Sequence, residues 1–213
     1  MSEAARDNDY HVGRDCWSGM VASVVVPVRG RPRELAECLR AIAGQELGHG
    51  RLEVIVCDDG TDPPLRADEY SLTAGEGDVV WLSQAPRGPA AARNLGIRAA
   101  GSPVVVFVDS DVVVEPTCIA ALVGALREHR EWVGAEACLD PVGAERGPLW
   151  DAPASRSGGH YHTAAIAYRK TALFRVGGFD EAFLLAACED VDLAARMLEV
   201  GPIGFVPGAR ARH

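Results

Sequence analysis

Two strand-like segments of this sequence end in paired carboxylates. Val104-Val105-Val106-Phe107-Val108 runs into Asp109-Ser110-Asp111, and Val54-Ile55-Val56-Cys57 runs into Asp58-Asp59-Gly60-Thr61-Asp62. Carboxylates one residue apart at a strand end can share a hard divalent cation, because Mg²⁺ and Mn²⁺ accept oxygen donors, or can divide between a cation and a hydroxylated ligand. The same aspartates can instead cap a turn by accepting backbone N–H bonds. In Asp58-Asp59, one carboxylate can orient the turn while the other receives N–H or hydroxyl groups of a ligand. For either pair alone, turn and site remain open alternatives. Two acidic ends in one parallel sheet must open on the same edge, which favours a site.

A third acidic cluster follows Cys188. At helical spacing Asp190, Leu193, Ala194 and Met197 share one face, and Glu189, Asp192, Arg196 and Glu199 share the other. Acids at a helix start answer the macrodipole, which accounts for Glu189 and for Asp192, the latter also pairing with Arg196 one turn on. Asp190 interrupts the apolar stripe. A carboxylate turned inward is a candidate general base, since partial desolvation raises its basicity toward neutral pH.

The elements that must position these groups alternate between strand and helix. A buried strand over Val21 to Val28 leads through Gly30 to Pro32 into a helix carrying Leu35, Leu39 and Ile42. Strands follow at Leu52 to Cys57 and Val79 to Leu82, then an amphipathic helix at Pro89 to Ala99 and a strand at Pro103 to Val108. This order predicts an α/β fold, a single domain with a mainly parallel central sheet flanked by helices. Ligands bind such sheets at the carboxyl ends of strands, here just after Val28, Cys57 and Val108. In the second half the pattern predicts a helix at Pro116 to His129, strands at Trp132 to Ala137 and Thr163 to Tyr168, a short helix, and the turn Gly177-Gly178-Phe179-Asp180. A helix from Glu189 to Glu199 and a last strand at Ile203 to Val206 complete it. Leu139 to Gly159, rich in Gly, Pro, Ala and Ser, reads as a long loop. Residues 1–19 read as a flexible tail before a catalytic domain of 20–213.

Composition narrows the partners. The 213 residues suffice for one domain with a sizeable core, and 48% of them are apolar. A formal net charge of −9 argues against a nucleic-acid footprint and against a basic membrane-surface patch. Lys170 is the sole lysine, so isolated arginines carry little weight as phosphate ligands. The six cysteines form no C-x-x-C pair and read as buried thiols. No apolar run approaches the roughly 20 residues that span a bilayer, and the polar start carries no signal peptide, so a cytoplasmic protein with no integral membrane segment is expected.

Taken in order, these pieces resemble the family 2 nucleotide-sugar glycosyltransferases, whose catalytic domain has the glycosyltransferase-A fold. The resemblance rests on Val24-Val25-Val26-Pro27-Val28, Asp58-Asp59-Gly60-Thr61, Gly88-Pro89-Ala90-Ala91-Ala92-Arg93-Asn94-Leu95-Gly96, Asp109-Ser110-Asp111, Gly177-Gly178-Phe179-Asp180-Glu181, Glu189-Asp190-Val191-Asp192-Leu193 and His213. It implies a metal-dependent, inverting transfer of sugar from a nucleotide-diphosphate donor to an acceptor the sequence does not identify. It further implies that Pro27 and Arg29 border the nucleotide, Asp59 binds its base, and Arg93 lies near the donor. Asp109 and Ser110 would face the ribose or sugar, and Asp111 and His213 would hold Mn²⁺ or Mg²⁺. Asp190, with Glu189 beside it, would deprotonate the acceptor. Residues 20–115 would form the nucleotide-sugar half, and 116–213 the acceptor and catalytic-base half. Where relatives often carry Asn or Asp, this chain has Ala165. His160 and His162, next to that strand, are expected to line the cleft or the surface, and Trp150 to pack or to serve as an acceptor platform.

Asp109-x-Asp111 after a buried strand also resembles the nucleophile motif of haloacid-dehalogenase-type phosphatases, with Lys170 and the Glu189-Asp190-Val191-Asp192 cluster supplying the lysine and metal acids. That motif normally follows the first strand of its core, however, and here three strands precede it. A non-catalytic carbohydrate-binding module is a further alternative.

Overall fold

The computed structural model describes residues 19–70, 79–141, 154–185 and 187–213. Among these residues, eight strands form one sheet in the order β3-β2-β1-β4-β7-β6-β8-β5, with β1 Met20–Val28, β2 Arg51–Asp58, β3 Val79–Ser83, β4 Val104–Val108, β5 Val113–Val114, β6 Gly134–Asp140, β7 Ala165–Arg169 and β8 Ile203–Arg212. Strands β1 to β4 are mutually parallel, as the alternation with helices predicts. β7 enters antiparallel between β4 and β6, whereas β8 returns parallel to β6. The result is the expected single α/β domain with a mostly parallel sheet, helices on both faces, and an antiparallel insertion at β7.

Strand period decides what each face receives. In β1 and β4, Val24, Val26, Val104, Val106 and Val108 join a core built on α1 (Pro32–Ala43) and α3 (Cys118–Glu128). Val25, Val105 and Phe107 join the opposite core, beneath α2 (Pro89–Ala99), α4 (Lys170–Arg175) and α5 (Glu189–Leu198). Helix α2 was expected to be amphipathic, yet Ala90 through Asn94, Gly96 and Ile97 are all buried. Its outer face is covered by the turn at 177–181: Asn94 donates to the Phe179 carbonyl (2.9 Å) and accepts the Phe179 N–H (2.9 Å).

The last strand is longer than predicted. The sequence pattern ends this strand at Val206, but the β6–β8 register jumps from Ala137↔Val206 to Cys138↔Arg210, so residues 207–209 form a bulge and pairing resumes to Asp140↔Arg212. The two-residue strand β5, absent from the sequence reading, pairs Val113 with Arg212. Together they carry His213 to the edge where β4 ends.

The long loop is shorter than predicted, because Leu139 and Asp140 belong to β6 and Ser155 pairs with Leu139. Residues 142–153, with Trp150, lie outside the described residues, as do residues 1–18 with Cys16. Cys38, Cys57, Cys118 and Cys138 are buried free thiols, but Cys188 is exposed, at the left-handed residue that opens α5.

Candidate active site

The carboxyl ends of β1, β2 and β4 open on one edge, as expected of parallel strands. β7 runs the other way, so its start reaches the same edge: Val108 pairs with Ala165 and Val104 with Arg169. A cavity of about 500 Å³ lies there. Eight residues expected at the site line it: Pro27, Arg29, Asp59, Arg93, Asp109, Ser110, Asp111 and His213.

The strand period also separates the two aspartates that end β2. Asp58 turns toward the α1 face and accepts the Thr61 N–H (2.9 Å) and hydroxyl (2.6 Å), while the Thr61 hydroxyl accepts the Gly30 N–H (2.8 Å). The turn is thereby tied to the loop after β1, the orienting role expected of one member of the pair. Asp59 turns toward α2 and accepts the Gln84 amide (2.8 Å), the Arg87 N–H (2.8 Å) and the Gly88 N–H (2.8 Å). Three internal donors occupy most of its lone pairs, so the structure places Asp59 as the anchor of the β3–α2 loop as well as on the cavity wall. Both flanking glycines are needed. Gly60 has φ +74 and a Cβ there would meet Pro86 at 2.5 Å; Gly88 has φ +92 and a Cβ would meet the Leu184 carbonyl oxygen at 2.6 Å.

Asp109 faces the same side as Phe107 and meets Arg93 of α2, whose Nη2 lies 2.7 Å from Oδ1. The other arm of Arg93 reaches Glu189 at 2.8 Å. Both ends of that second pair are almost fully enclosed, with side-chain exposure of 4% each. The sequence reading put Glu189 on the polar face of α5, answering the helix dipole. Instead it is buried, because the helical wheel could not show the guanidinium waiting opposite. Burial works against the charge on Arg93, but Asp109 and Glu189 outweigh it and hold its pKa above the ordinary arginine value. The pair joins the start of α5 to the end of β4, and so joins two of the expected site groups through a residue expected only near the donor.

Asp111 lies at the mouth of the cavity. It is ion-paired with the exposed Arg31, and its Oδ1 is 3.3 Å from Nε2 of His213, whose backbone N–H donates to the Asp140 carbonyl (3.0 Å). The His213 hydrogen bond, helped by the charges of His213 and Arg31, pulls the Asp111 pKa down, and Asp111 in turn raises that of His213. Among the described residues, no three His, Cys, Asp or Glu are gathered as a cation site. A carboxylate and an imidazole side by side do fit Mn²⁺, and the buried Nδ1 of His213 has no hydrogen-bond partner among the described residues. The remaining ligands would come from a bound diphosphate and water.

Asp190 and Glu189 do not line this cavity. Asp190 is half-buried, as the apolar stripe required, but its ionisation is opposite to expectation. Burial raises its pKa, yet the His162 imidazole, the Val191 N–H at 2.8 Å and the Arg93 charge together bring it below the ordinary carboxylate value. Sequence reasoning also missed Arg31, Leu184 and Leu185 on the cavity wall. The two leucines are 67% and 78% exposed, a signal visible only in three dimensions. Lys170, the lysine of the phosphatase alternative, lies at the opposite edge of the sheet, just past Arg169, which pairs with Val104, and donates to the Ala100 carbonyl. It cannot serve Asp109 or Asp111.

Comparison with known proteins agrees with this geometry. The model of Glycosyl transferase family 2 matches residues 23–178. A pre-mycofactocin glycosyltransferase of Mycobacterium tuberculosis strain H37Rv is 31% identical over 211 residues, covering 90% of this chain and 42% of the relative. The chain thus spans less than half the length of that relative. Among solved structures, Staphylococcus aureus TarS 1–349 in complex with UDP-GlcNAc superposes with a TM-score of 0.73 at 21% identity, covering 90% of this chain and 58% of that one. GalNAc-T7 with UDP, GalNAc and Mn²⁺ gives 0.69 at 17% identity, over 90% and 43%.

Proposed function

Because the chain belongs to glycosyl transferase family 2, we propose that it moves a sugar from a nucleoside-diphosphate donor to an acceptor hydroxyl by a single, inverting displacement that depends on a divalent metal. The observation that carries this reading is the convergence of three strand ends, with Asp59, Asp109 and Asp111, on one cavity of about 500 Å³. Fold neighbours solved with UDP-GlcNAc, and with UDP and Mn²⁺, support a uridine nucleotide as the first donor to test.

In this reading, residues 20–115 supply the nucleotide-sugar half. Pro27, Arg29 and the Asp59 loop border the base, while Asp109 and Ser110 face the ribose or sugar. Asp111 and His213 hold Mn²⁺ or Mg²⁺, whose charge would stabilise the departing diphosphate. Residues 116–213 supply the base and border the acceptor. Asp190 takes the proton of the acceptor hydroxyl as its oxygen bonds to the anomeric carbon and the bond from that carbon to the diphosphate breaks. Glu189 acts through Arg93, holding α5 against the donor side. Among the described residues, no helix is long and apolar enough to cross a membrane.

The test is release of nucleoside diphosphate from UDP-GlcNAc, UDP-glucose and GDP-mannose in Mn²⁺, run beside hydrolysis of p-nitrophenyl phosphate. Release from a sugar nucleotide, abolished by chelator, is expected. Phosphate-ester cleavage with no release from any sugar nucleotide would overturn the sugar-transfer reading.

A further inference from the structure

The segment before β7 was expected only to line the cleft or the surface, but it is built as a support for Asp190. Its organiser is Glu136 of β6, a carboxylate only 2% exposed. Glu136 accepts the Ser155 hydroxyl (2.6 Å) and the N–H groups of Gly159 (2.7 Å), His160 (3.2 Å) and Tyr161 (2.9 Å). A buried carboxylate with four donors is a satisfied anion, and the three successive N–H groups wrap the chain around it. Tyr161 follows in the left-handed region, φ 59, which turns the chain sharply at the next residue. That residue is His162. Its Nδ1 lies 3.5 Å from Oδ2 of Asp190, and its ring stacks on His160 with centroids 5.7 Å apart. The other oxygen of Asp190 is held by the Val191 N–H.

We infer that His162 is the positioning residue for Asp190: the loop tied to Glu136 sets its imidazole against one carboxylate oxygen, fixing which lone pairs Asp190 turns to the acceptor and how readily it takes a proton. This rests on the reading of Asp190 as the base. The surroundings leave few rivals for the role. Arg93 from α2 is bonded to Asp109 and Glu189 and acts on Asp190 only through its charge, which every His162 variant keeps. Tyr168 of β7 has a buried hydroxyl with no hydrogen-bond partner among the described residues and, being neutral, places no charge against Asp190. Glu189, next along α5, points to Arg93, and His160 touches the ring of His162. The sign of the coupling follows. An N–H donor or a positive ring beside a carboxylate favours its charged form, in keeping with the lowered pKa of Asp190. Removing the imidazole must make Asp190 hold its proton to higher pH.

The titration itself needs neither donor nor acceptor. The Asp190 carboxyl carbon, assigned by its loss in an Asp190→Asn variant, is titrated by NMR in the parent chain, His162→Ala and His162→Gln. The Ala variant should titrate at higher pH than the parent. The Gln variant, which keeps an N–H donor but not the ring, should fall between them. His162 is half-buried at the edge of the sheet, so both variants should fold, with unchanged UDP affinity and a lower turnover, on the order of tenfold for Ala, partly rescued in Gln. Identical Asp190 titrations in all three proteins would overturn the inference. An Asp190→Asn variant as active as the parent would instead remove the base reading while leaving the measured coupling intact, so the two failures are distinguishable.

Discussion

Asp111 and Asp190 are both half-buried carboxylates with a histidine beside them, at 3.3 Å for His213 and 3.5 Å for His162, yet the two pairs are supported in different ways. Asp111 stands at the mouth of a cavity, and its other partner, Arg31, is 60% exposed. Its surroundings can rearrange when a charged ligand arrives. Asp190 sits on the first turn of a helix whose neighbour Glu189 is locked to Arg93, and its histidine is delivered by a loop wound on a buried glutamate. One edge is open and adjustable, and the other is preset. That division suits a reaction in which a large anionic donor must enter and leave, while one proton must be taken at a fixed place.

The largest expected effect comes from the preset edge. Asp190→Asn keeps shape and burial but removes the proposed base, and turnover should fall by about 10² to 10⁴ with UDP affinity unchanged. Steady-state rates beside a UDP titration measure both. A parallel loss of UDP affinity would mean that the two edges are not separate.

Next in size is Arg93→Ala. It would leave Glu189 and Asp109 without their cation, one of them in an enclosed site, and removing one partner of a buried pair costs about 3–5 kcal/mol. Urea unfolding should register it, and a loss under 1 kcal/mol would show that α5 does not depend on this bridge.

How much of this was legible in the sequence depended on distance along the chain. Asp58-Asp59 and Asp109-Ser110-Asp111 declare themselves because a buried strand and its terminal acids are contiguous, and strand period alone assigns Asp59 and Asp109 to the α2 side. The burial of Glu189 was misread because its reason, Arg93, lies on another helix. Helix α2 looked amphipathic because nothing local announces that the 177–181 turn will cover Asn94. The last strand was expected to end at Val206 and instead continues through a bulge at 207–209, since β6 runs on beside it and supplies partners. Glu136 gave no signal, being one acid inside an apolar strand whose donors arrive some twenty residues later.

Smaller effects sharpen the contrast at the seam between the edges. Gly88→Ala imposes a Cβ on a left-handed backbone and against the Leu184 carbonyl, and should destabilise by about 1–3 kcal/mol, read by urea unfolding. Leu185→Ser, on an exposed lip of the cavity, should change stability by less than about 0.5 kcal/mol. A larger loss would mean that this lip is packed in solution.

The central claim, that the open edge is a metal-dependent nucleotide site, is met most directly by calorimetric titration of UDP into the chain, in Mn²⁺ and in excess chelator, for the parent and for Asp111→Asn. Tight binding in Mn²⁺ that is lost both in chelator and in the Asn variant, with the fold of that variant intact, is the predicted result. Equal UDP affinity in all four titrations would contradict the account.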